Sequence, residues 1–214
     1  SAGTNTTLNK DGLGTWRLTG NNNFNGNVTV VTPLAYLNQY LGVLEFTTIG
    51  NYGSGPSAMG SPFSSTNTIT LGTAGYPNVP GYIRFVGDTD QYSDRTIAIT
   101  AGNAENTVDA SGTGILTLTG SMTGSSQPVT LAGSGQGVEK GVIATGTGGL
   151  IKAGAGTWTL NSSSAQTYTG ATRVNGGTVI LDFANKGDAT NLLQTSSTLT
   201  LGGGKLWMKG KDGS

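Results

Sequence analysis

The chain has 214 residues, of which 10% are charged, and its 11 basic side chains are balanced by 11 acidic ones. Such sparse, balanced charge excludes the basic surface that binding to nucleic acid or to an anionic membrane requires. Histidine and cysteine are both absent, which excludes imidazole-based catalysis, thiol chemistry and the commonest metal ligands. The 37 glycines separate short runs of Val, Ile, Leu and Thr, a pattern typical of a β-rich chain with many turns.

The first part of the chain predicts strands interrupted by one helix. A strand begins at Leu8, the Asn- and Gly-rich run 20–26 predicts a turn, and residues 28–31 resume a strand. Residues 32–42 predict a short helix, because a capping Thr and a Pro open the segment and a Gly closes it.

The rest of the chain predicts short strands closed by glycine or by polar clusters. Two Gly-rich loops, 49–66 and 72–80, flank the strand predicted at 68–71. The predicted strands cover 44–46, 68–71, 82–86, 95–99, 114–118, 128–131, 141–143, 198–201 and 205–208. No apolar run has the length that a bilayer-spanning helix needs, so this segment is not expected to be membrane-embedded.

An internal repeat organises these elements. The stretch 150–183 repeats the stretch that opens at Leu8, and a fixed internal period is the signature of a repeat architecture. The positions that match at one constant spacing include Lys10, Gly12, Gly14 and Trp16 in the first copy and Lys152, Gly154, Gly156 and Trp158 in the second. The spacing of later matched residues shortens, which places insertions in the first copy at the predicted helix and at the two loops after it.

The repeat predicts the domain organisation. We expect one solenoid over residues 1–214, built of two unequal copies, 8–149 with insertions and 150–214 as a truncated copy. A repeat unit cannot bury its own ends, so we expect this chain to stack end to end on another copy or to be an excerpt of a longer protein.

The repeat resembles the autotransporter-associated β-strand repeat. The residues of the second copy that fit this pattern in order are Leu150, Lys152, Gly154, Gly156, Thr157, Trp158, Leu160, Tyr168, Gly170, Thr172, Val174, Asn175, Gly176, Gly177 and Thr178. The first copy fits as far as Gly26 and departs at the predicted helix. The resemblance implies a right-handed parallel β-helix that is secreted to, or displayed on, the bacterial surface as a passenger stalk, with no catalytic residues and no cofactor.

Elementary physics favours the same fold class, which is all-β: a right-handed parallel β-helix, or β-solenoid, with loop insertions and one short helix. In a parallel coil, inward side chains stack in rows and glycine-rich corners let the backbone turn. The Lys-x-Gly-x-Gly-Thr segments lack the Gly-Lys-Ser/Thr ending of a phosphate loop, so we interpret them as corners. Because Trp16 and Trp158 recur at equivalent strand positions, we interpret both as packing anchors.

One cluster of acidic residues is a candidate for two kinds of site. Asp88, Asp90 and Asp94 form the densest acidic cluster and are a calcium candidate, although the EF-hand spacing fails and an Asp-rich turn explains the cluster equally. With Glu105 and Asp109 they also supply the carboxylates from which a glycoside-cleaving pair could be drawn.

The inserted region is the best functional candidate, because insertions in repeat proteins often map to a binding face. It carries four tyrosines, Tyr36, Tyr40, Tyr52 and Tyr76, and tyrosine supplies rigid amphipathic contact area for a partner chain or a glycan. The alternative is that these side chains close over one side of the coil as a satellite core.

These observations predict a non-enzymatic structural module of a secreted or surface-displayed bacterial protein, acting as an adhesive stalk or a filament subunit. Its expected partners are further copies of itself end to end, neighbouring repeats of a longer chain, and host or matrix glycans. The alternative is a carbohydrate-binding or carbohydrate-cleaving β-helix that uses the tyrosine-bearing loops and the acidic cluster.

Overall fold

The computed structural model describes residues 5–31, 42–73, 79–100, 106–184 and 191–211. Across these ranges the chain forms strands and no helix, and every strand pair is parallel. The predicted all-β, parallel solenoid is confirmed. The predicted helix at 32–42 lies outside the described residues, except for Gly42.

The strands are short and evenly spread along the chain. In chain order they are β1 (Leu8–Lys10), β2 (Thr15–Leu18), β3 (Val28–Val30), β4 (Val43–Phe46), β5 (Ile69–Leu71), β6 (Tyr82–Phe85), β7 (Gln91–Ser93), β8 (Ile97–Ile99), β9 (Asn106–Ala110), β10 (Ile115–Leu118), β11 (Met122–Thr123), β12 (Val129–Ala132), β13 (Gln136–Glu139), β14 (Ile143–Ala144), β15 (Leu150–Lys152), β16 (Thr157–Leu160), β17 (Thr172–Val174), β18 (Thr178–Asp182), β19 (Leu199–Leu201) and β20 (Lys205–Lys209).

Three parallel sheets form the sides of the solenoid, and we name them faces A, B and C. Face A has the order β1-β3-β5-β8-β11-β14, face B β2-β4-β6-β9-β12-β15-β17-β19, and face C β7-β10-β13-β16-β18-β20. In the middle coils the chain visits A, B and C in turn, so each strand pairs with the equivalent strand of the next coil. None of the described residues forms a helix long and apolar enough to cross a membrane.

The core consists of rows of inward side chains that continue from coil to coil. One row on face A places Val28, Ile69, Ile97, Met122 and Ile143 in register, and all five are at most 1% exposed. Alternate residues of each strand face inward, so burying such a row hides apolar area on every coil while the backbone ladders satisfy the peptide groups. Each short apolar run between glycines in the sequence is therefore one strand of a coil, and the runs repeat because the coils repeat.

The two copies of the repeat occupy different faces. In the first copy, β1 to β6 alternate between faces A and B, whereas their equivalents in the second copy, β15 to β20, alternate between faces B and C. The first copy crosses face C without a strand at 19–27 and 47–68, and the second crosses face A without a strand at 161–171; the described residues of its next crossing, 183–184 and 191–198, form no strand either. The second copy is therefore turned by one face relative to the first.

Candidate functional site

The Lys-x-Gly-x-Gly corners are held by their own lysines. The Lys10 ammonium donates to the carbonyl oxygens of Asp11 and Gly12, at 3.2 and 2.6 Å. The Lys152 ammonium donates to the carbonyls of Ala153 and Gly154. Both lysines are 1% exposed, and burial lowers the pKa of Lys152 to about 8 despite the opposing charge of Asp109. These contacts satisfy corner carbonyls that no strand can reach.

Glycine is required at these corners for two reasons. Gly12, Gly14 and Gly154 have φ of +78°, +85° and +70°, which side chains rarely adopt. At Gly156 a Cβ would lie 2.3 Å from the carbonyl oxygen of Gly135 in the preceding coil. The spacing of the glycines in the motif therefore follows from a tight corner that is stacked closely on another corner.

The two equivalent tryptophans have different surroundings. Trp158 is 1% exposed, and its indole N–H donates to the Ala132 carbonyl at 2.8 Å. Its ring covers Gly137, where a Cβ would lie 2.5 Å from the ring atoms. Trp16 is 46% exposed, since no described strand precedes β2 on face B, and the Lys10 ammonium lies 5.5 Å from its ring centroid.

Of the four candidate tyrosines, only Tyr52 lies within the described residues; Tyr36, Tyr40 and Tyr76 lie outside them. The Tyr52 hydroxyl accepts from the Thr96 N–H at 2.9 Å, and the Tyr52 N–H donates to the Asp94 carboxylate at 2.7 Å. Both groups therefore fasten the 47–68 loop to the coil. The contact with a partner or glycan stays a prediction.

Two residues of the acidic cluster also accept hydrogen bonds from backbone N–H groups of the solenoid. The Asp90 carboxylate accepts from the Ile115 N–H at 2.8 Å, and Asp94 accepts from Tyr52 as above. Asp88 lies in the bend between β6 and β7 and is exposed. Within the described ranges, these residues and other acidic side chains form no group of three that could hold a metal ion.

An outward ladder of ion pairs on face B was not predicted. Arg17 contacts Glu45 at 2.7 Å, Glu45 contacts Arg84 at 3.3 Å, and Arg84 contacts Asp109 at 3.3 Å. The Tyr82 hydroxyl donates to the same Asp109 oxygen. Burial opposes the charge on Arg84, but its hydrogen bond to Tyr82 and the charge of Asp109 raise its pKa. Both carboxylates of the ladder are thus paired, which suits a structural role better than acid–base chemistry.

Two loops replace strands on face C at the N-terminal end, and one buried arginine holds the second of them, 47–68. The Arg95 guanidinium donates to the carbonyls of Met59, Asn67 and Thr68 at 2.9, 3.4 and 3.5 Å. Arg95 is 1% exposed, and burial lowers its pKa to about 10. The sequence singled out neither this residue nor the ion-pair ladder, because both depend on which coils become neighbours.

Glu139 is an acid in the core. It faces inward between Leu118 and Leu160 and is 0% exposed. One carboxyl oxygen accepts from the Gly141 N–H at 2.8 Å, and the other has no hydrogen-bond partner. Burial raises the pKa of this carboxyl well above its usual range, so the folded state favours the protonated form.

Glu139 should make stability depend on pH. Above about pH 4.5 the unfolded chain loses a proton that the folded chain keeps, so the free energy of unfolding should fall as the pH rises toward the folded-state pKa. Glu139→Gln keeps an acceptor for Gly141 and removes the titration, so the variant should gain stability on the wild-type chain as the pH rises. Urea unfolding from pH 4 to pH 8 measures this difference. Parallel curves for the two chains would contradict a protonated Glu139.

The C-terminal described coil leaves its inward rows uncovered. At the C-terminal end Leu199, Leu201 and Met208 are 42%, 54% and 65% exposed, although their register partners Thr172, Val174 and Leu181 are buried. On the outward side of β20, Trp207 is 61% exposed. The strongest candidate for binding is therefore an end of the solenoid, where both backbone ladders and core rows are open.

The fold and these corners define a parallel β-solenoid built of a stacked corner repeat. A family model described as the passenger-associated-transport-repeat matches residues 8–32 and 150–181, which are the segments that open the two copies. The resemblance to an autotransporter passenger β-helix repeat is thereby confirmed at both places. No curated protein and no solved structure matches the chain.

Proposed function

We propose that the chain is a non-enzymatic structural segment of a secreted or surface-displayed bacterial passenger, and that it extends a rigid rod by accepting further β-coils on its ends. One observation carries this proposal: the inward rows run to the C-terminal described coil, where Leu199, Leu201 and Met208 remain uncovered. Covering such a row returns apolar area to a core, and the open ladders beside it give the incoming coil its direction and register.

The described candidate groups favour a structural role. The lysines, Tyr52, Asp90 and Asp94 all make internal contacts, and the face B carboxylates are paired with arginines. The passenger repeat itself supports a secreted or surface location. Adhesion to host or matrix glycans, and carbohydrate cleavage as the alternative, stay predictions that these contacts do not favour.

Sedimentation tests the proposed role of the ends. The wild-type chain should form elongated species whose average mass rises with concentration, because association hides the open rows. Leu199→Glu should reduce this association strongly, since it places an unpaired charge in the contact. Thr159→Glu is the matched control, because Thr159 faces outward on a middle coil, and it should associate like the wild type. A wild-type chain that stays monomeric at high concentration would overturn the role of the ends.

A further inference from the structure

The two ends of the solenoid are complementary when a second copy is rotated by one face about the solenoid axis. At the N-terminal end, no described strand precedes β1 on face A or β2 on face B, and the loops 19–27 and 47–68 take the place of strands on face C. At the C-terminal end, no described strand follows β19 on face B or β20 on face C, and the loop 161–171 takes the place of a strand on face A. Each end therefore presents two adjacent open faces beside a covered one.

Hydrogen bonds show that the covered faces offer no free strand edge to an incoming coil. On face C, the Ile49 N–H donates to the Gln91 side chain at 3.0 Å. On face A, the Ile143 N–H donates to the Gln166 side chain at 2.6 Å, and the Thr167 N–H donates to the Ile143 carbonyl at 3.1 Å. A second copy that kept the same orientation would place its β1 on the covered face A.

The interior already contains the junction that a turned copy would form. The second repeat opens with β15 and β16, the equivalents of β1 and β2, and these strands stack on β12 and β13 of faces B and C. In this junction Val129 lies opposite Leu150, and Leu131 lies opposite Lys152. The passenger repeat is thus joined to a preceding coil on the same two faces that are open at the C-terminal end.

The terminal coil resembles the coil that receives the second repeat. Strands β12 and β19 both carry Thr-Leu before the corner. Two residues after that Leu, Gly133 and Gly203 have similar φ values of +112° and +120°, which few residues other than glycine adopt. The positions that differ include the one where Gly137 accommodates the Trp158 ring, because Leu206 stands there.

We infer that the terminal coil β19–β20 binds the N-terminal coil β1–β2 of a second copy of this chain, turned by one face so that β1 continues face B and β2 continues face C. This inference rests on the proposed function of the ends. The interior junction gives the register: Leu199 lies opposite Leu8, Thr200 opposite Asn9 and Leu201 opposite Lys10 of the second copy. On face C, Trp207 lies opposite Arg17 and Met208 opposite Leu18.

The turned register gives the exposed side chains partners. Leu201 lies opposite Lys10, as Leu131 lies opposite Lys152 in the interior. The outward Trp207 ring, 61% exposed, receives the Arg17 guanidinium, a favourable cation–π pair. Trp16 lies opposite Leu206, so its ring cannot lie over this position as the Trp158 ring lies over Gly137. Each added copy turns by one face, so the loops that replace strands step around the rod.

Disulfide trapping tests this register, because the chain has no cysteine of its own. Neighbouring parallel strands lie about 4.8 Å apart, within the range that a disulfide spans. The double variant Asn9→Cys/Thr200→Cys pairs outward, exposed positions and should give a ladder of trimers and larger products on mild oxidation. Thr200→Cys alone should stop at dimers.

A second double variant tests the unturned orientation. If face B stacked on face B in its own register, Thr200 would lie opposite Thr15, so Thr15→Cys/Thr200→Cys would give the ladder; we expect it to give little product beyond dimers. A ladder from this pair equal to that of Asn9→Cys/Thr200→Cys overturns the turned register. Self-association of the wild type without a ladder from the Asn9 pair overturns it as well, while absence of any association overturns the role of the ends itself.

Discussion

Trp158→Ala is expected to destabilise the fold by about 3–5 kcal/mol, whereas Trp16→Ala should cost no more than about 1 kcal/mol. Trp158 fills the core over Gly137 and donates to the Ala132 carbonyl, so its loss leaves both a cavity and an unsatisfied acceptor. Trp16 occupies the equivalent place in the repeat but is 46% exposed. Urea unfolding of both variants and the wild-type chain measures the two losses.

The pair of tryptophan variants is its own control, because the two side chains share a sequence environment and differ in the coil that precedes them. Equal destabilisation by both substitutions would contradict the described packing. If association covers Trp16, the cost of Trp16→Ala should grow with protein concentration, while that of Trp158→Ala should not.

Arg95→Met is expected to cost about 2–4 kcal/mol, because a buried charged donor is lost and carbonyls of the covering loop are left without it. The Met59 carbonyl, at 2.9 Å from the guanidinium, depends on it most; the Thr68 carbonyl also accepts from the Val28 N–H. Protease digestion should show cleavage in the 47–68 loop before the core opens, and thermal unfolding should shift to lower temperature.

Arg17→Met is the matched control for Arg95. Its side chain is 60% exposed and pairs with Glu45, and exposed ion pairs contribute roughly 0–1 kcal/mol. An effect of Arg17→Met as large as that of Arg95→Met would mean that the face B ladder, and not the buried guanidinium, holds the N-terminal coils.

The strands that sequence patterns identified are those whose inward residues are aliphatic. Residues 82–86, 114–118 and 128–131 were predicted as strands and coincide with β6, β10 and β12. Strands β7 and β13 were missed because Gln-Tyr-Ser and Gln-Gly-Val-Glu lack the apolar alternation of a strand. They form because a parallel ladder on one or both sides supplies hydrogen bonds to any backbone of the right length.

The candidate site was less predictable than the fold. The corner motif of Lys152, Gly154 and Gly156 could be recognised because all its contacts lie within a few residues or one coil. Arg95 and the ladder through Glu45 and Arg84 could not, since their partners come from other coils. An arginine in a Gly- and Thr-rich chain carries no local sign of burial.

The sequence by itself determined that this protein is a parallel solenoid with an internal repeat, because glycine corners, aliphatic rows and the Lys-x-Gly-x-Gly spacing are local requirements of each coil. Only the tertiary structure decided that the two copies lie on different faces, that Trp158 is buried while Trp16 is not, and which faces remain open at each end. The physical reason is that the face a strand joins depends on how the chain closes every preceding coil, including loops that skip a face, and no single segment carries that information.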